Sequence, residues 1–534
     1  MMMRKNDEIE LLVHDLHSDG NGIAAAGLPD KPDVNKKGFA VFVPGALPGE
    51  KVRVKILKVK KQYAYGKIIK ILEPSPNRLA DDDPRMCSVA NKCGGCGFQH
   101  LDYPAQLIFK EKLVRDALVR IGGFKNPPVL SVLGMDNPYH YRNKAQFPVG
   151  ENGIGFYAPR SHRIIPITDC NIHMRGDVFR AVCGVLEKYP IPNLRHVVIR
   201  TGLEVMIIFV LNGGGLPYAE EIKALLPFNL IINENTAKTN IILGPKFATL
   251  QGDDYIHEVI GHIRYRISPR AFFQVNPVQT KVLYDIVAAH LDDMGSPALK
   301  VIDAYSGIGG IALYIAGKVQ EVVGVESVTE AVEDGNYNAV LNGIKNAGFL
   351  KGPAEELVPA MLKREKYDVL ILDPPRKGTD DKLLEAAVAA KISEIIYVSC
   401  NPATLARDVR QLVKGGYRLV NVQPVDMFPM TGHVEAVVLL SKLKSTESIE
   451  VKIDLDEMDL TKSESKATYD EIKQYVLDNT GFKVSQLYIA QVKRKRGITE
   501  RINYNVGEGK AKVPQVPVDK EKAIEDALRH FQMI

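Results

Sequence analysis

Cys400 stands in the tetrapeptide Ser399-Cys400-Asn401-Pro402, directly after the strand-like run Glu394-Ile395-Ile396-Tyr397-Val398. A thiol at the mouth of a sheet is placed to attack an electrophilic carbon. Downstream, Gly432-His433-Val434-Glu435 supplies a carboxylate able to act as a base. Upstream lie Asp373-Pro374-Pro375-Arg376-Lys377-Gly378 and the glycine-rich turn Asp303-Ala304-Tyr305-Ser306-Gly307-Ile308-Gly309-Gly310, the pieces of an adenosyl-cofactor site. Together they imply methyl transfer to a carbon that must first be activated covalently. Uracil C5 is such a carbon. Thiolate addition at C6 makes C5 enolate-like, C5 takes a methyl from a sulfonium donor, and a base then removes the C5 proton as the thiol leaves. Cys400 and Glu435 are the candidates for thiol and base. A lone cysteine is more often a small buried hydrophobe, and Glu435 by itself reads as a solvated carboxylate opening the strand Ala436 to Leu440. The strand-end position of Cys400, followed by Asn-Pro, and the partnership of the two residues favour function.

The cofactor cradle rests on two features in register. Val301-Ile302-Asp303 reads as a buried strand that breaks into the glycine turn, where the backbone can approach a ligand closely. The next strand, Val322-Val323-Gly324-Val325-Glu326, ends in a carboxylate placed to accept from a ribose diol. Asp373 ends a further strand, and its two prolines make a rigid rim with no N–H to offer. Arg376 occupies the position where amino-methylating enzymes carry an aromatic residue, which argues against methylation of an exocyclic amine.

The elements that must position these residues follow from the rest of the chain. With 534 residues and a net charge of only +5, several domains are expected, and phosphate attraction must come from local patches. No window long and apolar enough to span a membrane occurs, and the N-terminus runs straight into charge, so a cytoplasmic location is expected. Residues 1–74 read as a small β-barrel: strands Ile9 to Leu16, Gly38 to Val43, Lys51 to Leu57 and Ala64 to Leu72, separated by glycine and proline. Alternation puts Lys51, Arg53 and Lys55 on one face, and no acidic residue occurs from Lys51 to Leu72, so a nucleic-acid surface is expected there. Residues 75–272 read as a central α+β domain with a helix over Gln106 to Ile121. Residues 273–444 alternate strands and helices from the capped start Asn276-Pro277, predicting an α/β, doubly wound, parallel Rossmann-like sheet. A linker at 445–467 leads to an appendix, 468–534, with two helices and a turn ending in Lys493-Arg494-Lys495-Arg496, either a solvated helix end or a phosphate contact.

Six cysteines are too few for a disulfide scaffold, yet Cys87, Cys93 and Cys96 crowd together as C-x5-C-x2-C. Three thiolates so spaced suit zinc or an iron–sulfur cluster equally well, with a fourth ligand from elsewhere. Cys170, in a polar turn, is a better candidate than Cys183, in the apolar run Phe179 to Leu186.

Taken together, residues 8 to 442 resemble the bacterial RNA uracil C5-methyltransferases, especially the ribosomal members with an N-terminal TRAM barrel and a [4Fe-4S] cluster. The family's four-cysteine pattern is matched by Cys87, Cys93, Cys96 and Cys170, so the resemblance implies the cluster rather than zinc. Its aromatic-Gln-Val-Asn segment is matched by Phe273-Gln274-Val275-Asn276. The resemblance thus implies that Gln274, Tyr305, Glu326 and Asp373 hold S-adenosylmethionine, that Cys400 is the nucleophile and that Glu435 accepts the proton. Gly310 stands where some relatives place a cofactor-binding asparagine, and Pro353-Ala354 where an acidic residue would meet the adenine, so neither contact is carried over.

The resemblance implies a monomeric enzyme making 5-methyluridine in 23S ribosomal RNA, with no membrane partner. The alternatives are 5-methyluridine formation in the transfer RNA T-loop, whose enzymes usually lack barrel and cluster, and a non-catalytic RNA-binding assembly factor. A cytosine C5-methyltransferase is disfavoured, since after Cys183 the chain contains only Cys400.

Overall fold

Alternating burial is what closes the N-terminal strands on themselves. In a computed structural model, which describes residues 3–26, 39–296, 298–443, 469–496 and 516–531, β1 (Glu8–Leu16), β2 (Asn21–Ala26), β3 (Phe39–Pro44), β4 (Lys51–Val59) and β5 (Tyr63–Glu73) form a closed barrel in the order β1-β2-β3-β5-β4. Val52, Val54 and Ile56 point inward and meet Leu11, Val13, Val41 and Val43 in one apolar core. The pairing of β1 with β4 sets Glu8 opposite Lys55 and Glu10 opposite Arg53. Arg53 Nη2 donates to Glu10 Oε1 at 2.8 Å. The basic face expected on β4 is therefore partly neutralised by a strand distant in sequence.

Helix α1 (Tyr103–Arg120) follows, starting three residues before the expected Gln106 because Pro104 fits a helix's first turn. The central sheet is built from β6 (Lys144–Gly150), β7 (Gly153–Tyr157), β8 (Ile164–Pro166), β9 (Leu194–Thr201), β10 (Val205–Leu211), β11 (Asn229–Glu234) and β12 (Lys246–Gln251), in the order β12-β11-β10-β9-β6-β7-β8. Helices α2 (Gly176–Lys188) and α3 (Ala219–Leu225) pack against it, and every residue of β10 is buried, as a strand covered on both faces requires. A hairpin of β13 (Ile256–Ile260) and β14 (Ile263–Ile267) leads to α4 (Pro277–Asp293). The Asn276 side chain caps α4 by accepting from Gln279 N at 3.2 Å.

The second large sheet comprises β15 (Lys300–Ala304), β16 (Glu321–Glu326), β17 (Ala347–Lys351), β18 (Val369–Leu372), β19 (Glu394–Ser399), β20 (Tyr417–Val425) and β21 (Glu435–Lys442). Its helices are α5 (Gly310–Ile315), α6 (Thr329–Leu341), α7 (Ala354–Arg364), α8 (Asp381–Ala390) and α9 (Pro402–Lys414). The strand order is β17-β16-β15-β18-β19-β21-β20. Val301, Val369 and Ile371 feed the core on one face, Ile302, Leu370 and Leu372 that on the other. The expectation of a parallel sheet is corrected at its edge. β21 runs antiparallel to both β19 and β20, because no helix connects β20 to β21 and a parallel return needs a crossover.

The loop 426–434 joining β20 to β21 is fastened from outside its own sheet. Buried Lys110 of α1 pairs with buried Asp426 and donates to Phe428 O at 3.0 Å. Gln106 Oε1 accepts from Met430 N at 3.0 Å, and Tyr141 donates to Pro429 O at 3.0 Å.

By chain contacts the molecule divides into two units, Met1–Glu447 and Ser448–Ile534. In the second, α10 (Tyr469–Thr480), α11 (Gln486–Lys495) and α12 (Val518–His530) enclose Ile472, Val476, Ile489, Val492, Ile524 and Leu528. Sequence reading missed α12, whose apolar Ile524, Ala527 and Leu528 are spaced for one helix face. The expected linker, 445–467, lies outside the described residues. Of the expected basic run, Lys495 pairs with Glu521 and Arg496 with Glu525, which makes those two cations struts to α12. Among the described residues no helix is long and apolar enough to cross a membrane.

Replacing Lys110 by Met leaves Asp426 buried without its counter-charge. Urea unfolding is expected to show a loss of about 3–5 kcal/mol, much of it recovered when Asp426 is also replaced by Leu.

Candidate active site

The ladder between β19 and β21 pairs Ser399 with Ala436, and β21 begins at Glu435. The next residues outward on the two strands are therefore Cys400 and Glu435, side by side at one sheet edge. β18 ends at Leu372, paired with Tyr397, and is followed by Asp373. Three predicted site residues thus leave three neighbouring strands at the edge where open α/β sheets bind ligands. Asn401 caps α9 by accepting from Ala403 N at 3.1 Å, and its amide donates to Arg376 O at 3.0 Å. The Asp-Pro-Pro-Arg rim is thereby tied to the turn that carries Cys400, and Cys400 sits just before a helix N-terminus.

The electrostatics at this edge are dominated by negative charge held out of water. Burial, with Glu435 and Asp373 adding and Arg376 opposing, pushes the Cys400 thiol up to about 11. Burial and Asp373, again against Arg376, push Glu435 up to about 8, and only 4% of Glu435 is exposed. Asp373 rises to about 7 through burial.

In the glycine turn, Tyr305, Gly307 and Gly309 take positive φ of 66°, 55° and 83°, so the backbone curls beneath the sheet edge. Asp303 Oδ2 accepts from Ala312 N at 3.0 Å, while Asp303 Oδ1 and Ser306 Oγ are buried without a hydrogen-bond partner. Burial and Asp373 raise Asp303 to about 8. Glu326 accepts from Gly307 N at 3.1 Å and Val328 N at 2.8 Å, and Tyr305 donates to Glu355 Oε1 at 3.3 Å. Gln274 is half-buried just ahead of the Asn276 cap. Unpaired buried oxygens and three buried carboxyls with raised affinity for protons fit a cationic ligand bearing polar groups, as S-adenosylmethionine is. Glu355, in the first turn of α7, was missed by sequence reading, which stopped at Pro353-Ala354. The absence of asparagine at 310 has a steric reason: a Cβ there would collide with the Tyr284 hydroxyl.

Beside this edge a cavity of about 470 Å³ reaches from Cys87, Cys93, Cys96 and Cys170 to Arg376, Phe428 and His433, with Arg142, Lys144 and Phe272 in its walls. The four predicted cysteines therefore share one cavity, while Cys183 is carried elsewhere on α2. Burial raises the thiols of Cys93 and Cys170, and that of Cys96 to about 12. Among the described residues no three His, Cys, Asp or Glu side chains are gathered as a metal ion requires. The donor chemistry suits an iron–sulfur cluster, and the thiols stand around one space without a closed coordination shell. Burial, with Arg200 and Arg142 nearby, lowers Lys144 to about 7. Phe272 is 69% exposed in that wall. Arg142, Lys144 and Phe272 went unnoticed in sequence, and His433 was named only as a neighbour of Glu435, because only the fold brings them to one cavity.

Residues 228–443 match the family model tRNA (Uracil-5-)-methyltransferase, and residues 4–69 match the TRAM domain. An uncharacterized RNA methyltransferase of Halalkalibacterium halodurans is 44% identical over 463 residues, 82% of this chain and 98% of that protein. One from Clostridium tetani is 41% identical over 464 residues, 82% of this chain and 97% of that protein. Among solved structures, the Pyrococcus abyssi tRNA (uracil-54, C5)-methyltransferase in complex with S-adenosyl-L-homocysteine aligns with a TM-score of 0.63 at 28% identity. It covers 81% of this chain and 100% of that one. These matches overturn the expectation of a 23S ribosomal RNA target. That expectation leaned on the barrel, yet small barrels bind single-stranded nucleic acid largely through backbone and stacking contacts and do not by themselves select which RNA is modified.

The Glu435 shift has a stability consequence. Its carboxyl titrates near ~4.3 when unfolded and at about 8 when folded. Between those values the unfolded chain loses the proton first, so this group's contribution lowers stability as pH rises, and the loss is complete above the folded value. Glu435→Gln is expected to match the wild type near pH 4 and to exceed it in urea midpoint at pH 8 and above. Equal midpoints at high pH would show that Glu435 is not buried as described.

Proposed function

We propose, from the premise that this chain belongs to the TRAM-domain-containing RNA (uracil-C5-)methyltransferases and is an S-adenosylmethionine-dependent enzyme, that its target uridine lies in the T-loop of transfer RNA. The observation that carries this reading is the likeness to the P. abyssi tRNA enzyme over 81% of the chain. When bound, S-adenosylmethionine supplies an electrophilic methyl group. Gln274, Tyr305, Asp303, Glu326 and Asp373 are assigned to hold it.

Cys400 attacks uracil C6 as the thiolate, forming a C–S bond and pushing electron density toward C5 and O4. The α9 N-terminus and Arg376 favour the anion against the burial that raises the thiol. After C5 has gained its methyl, the Glu435 carboxylate takes the C5 proton. The released electron pair restores the C5–C6 double bond and expels the thiolate. The strand register that sets Glu435 beside Cys400 supports this role.

The proposed division of labour gives 1–74 to RNA binding, 273–444 to methyl transfer, and 75–272 to holding the substrate across the cavity it forms with 273–444. Cys87, Cys93, Cys96 and Cys170 are proposed as ligands of a [4Fe-4S] cluster with a structural role, since the transfer needs no electron. Iron and sulfide are expected in protein purified without oxygen and lost on Cys96→Ser. A cytoplasmic location follows from the proposed substrate.

Labelled methyl is expected in unmodified transfer RNA, at a T-loop uridine, and not in 23S ribosomal RNA; label in the ribosomal RNA alone would overturn the reading. Cys400→Ala should abolish transfer, whereas Glu435→Gln should accumulate a covalent protein–RNA adduct on denaturing gels, absent from the Cys400→Ala control.

A further inference from the structure

We infer that Asp408, on α9, is a positioning residue for the proposed methyl transfer: through a clamp on residues 376–379 it holds the Arg376 guanidinium against Cys400 and Glu435. The inference rests on the proposed role of Cys400 and not on which RNA accepts the methyl. The need for a clamp is written in the chain. Pro374 and Pro375 have no N–H to bond, so the rim ahead of Arg376 can be fixed only through neighbouring groups. Arg376 itself is exposed and lines the cavity, so no core packing sets its direction.

Helix α9 supplies the hold from one side. Asn401, Thr404, Arg407 and Asp408 recur at the spacing that shares a helix face. The Arg376 carbonyl accepts from the Asn401 amide at 3.0 Å and the Thr404 hydroxyl at 3.3 Å. The Lys377 and Thr379 carbonyls accept from Arg407 Nη2 at 3.1 Å and 3.4 Å. Asp408 closes the set: fully buried, it accepts from Thr379 N at 2.9 Å, from the Tyr397 hydroxyl at 2.6 Å and from Arg407 Nε at 2.6 Å. One carboxylate thus joins the rim, β19 and the guanidinium that grips two rim carbonyls. Gly378 shows how close the fit is: its φ is 81°, and a Cβ there would stand 2.5 Å from Arg407 Nη2 and 2.6 Å from Asp408 Oδ2. Since Cys400 lies just ahead of the same helix, thiol and rim are referred to one rigid body.

Charge says what the clamp is for. Facing Cys400 are Glu435 of β21 and Asp373 after β18, which oppose the thiolate, and Arg376, which favours it. Arg376 also favours the Glu435 carboxylate against burial and Asp373, and it faces His433. It is the cation common to nucleophile and base, and an opposite charge shifts a proton affinity strongly only from within about 4–6 Å. A rim free to swing away would leave both anions unrelieved. Asp408 grips backbone, hydroxyl and guanidinium groups, so its effect on the thiol passes through the rim.

The test is alkylation of Cys400 by iodoacetamide in the full-length protein between pH 7 and 9, followed on the Cys400 peptide by mass spectrometry, with Cys183 on α2 as internal control. Asp408→Asn should lower the thiolate population about tenfold. The more basic thiolate is also the stronger nucleophile, so labelling should slow about threefold or more at each pH, while Cys183 labels at the wild-type rate. The sign discriminates, because removing a negative charge that acted directly on the thiol would speed labelling. Arg376→Met should slow labelling in the same way, and Asp408→Asn in the Arg376→Met background should add nothing. Unchanged or faster labelling in Asp408→Asn, or its full loss repeated in the double variant, would overturn the proposal. Should Asp408→Asn not fold, Arg407→Gln, at a half-exposed side chain, decides. Slowed labelling that vanishes in the Arg376→Met background is expected, and wild-type labelling would refute the clamp. Methyl transfer retained by Cys400→Ala would instead remove the reading on which the clamp's purpose rests, a result separate from any of these rates.

Discussion

The constraint on which the site depends is the antiparallel insertion of β21 between β19 and β20. Because Ser399 pairs with Ala436, the thiol after one strand and the carboxylate opening the other must emerge together. A register slip of one residue would turn Glu435 to the opposite face and separate the pair. No hydrogen bond between the two side chains is needed for this placement, since the backbone ladder supplies it.

That ladder is only as dependable as the loop that feeds it, and the loop is held by groups from every side. Lys110 and Asp426 form an ion pair shut off from water, a costly arrangement that breaks even only when both partners are present and further hydrogen bonds satisfy them. Asn276 joins them by donating to Met427 O at 3.1 Å, so the cap of α4 also fixes the loop. Gly432 is required by contact, since a Cβ there would collide with Ser18 O in the barrel's first turn. The barrel therefore bears directly on the segment that delivers Glu435.

The same enclosure that positions the groups works against their ionisation. Cys400, Asp303, Asp373 and Glu435 all bind protons more tightly than in water because burial disfavours their anions and they repel one another. Such a cluster lowers the stability of the empty protein and is relieved by a cation. Substrate affinity and charge relief are in this way supplied by one edge of one sheet.

Much of this was legible in the chain because it depends on near neighbours. Alternation along Lys51 to Ile56 dictates a strand with one buried face, Asn276-Pro277 dictates a helix start, and Cys400 before Asn-Pro dictates a thiol at a strand-to-helix junction. What sequence could not decide was set by pairing between distant segments. The direction of β21, the neutralisation of Arg53 by Glu10, the arrival of Glu355 at Tyr305 and the third helix closing the C-terminal core each depend on which surfaces bury each other. The expectation of a 23S ribosomal RNA target failed for a related reason: it leaned on the barrel and the cysteines, and neither is a local signature of which RNA is modified. By itself the sequence determined which groups stand at strand ends, since local periodicity and turn residues specify that. Only the tertiary structure decided which strand ends meet, because hydrogen-bond register and core packing are long-range and no local pattern encodes them.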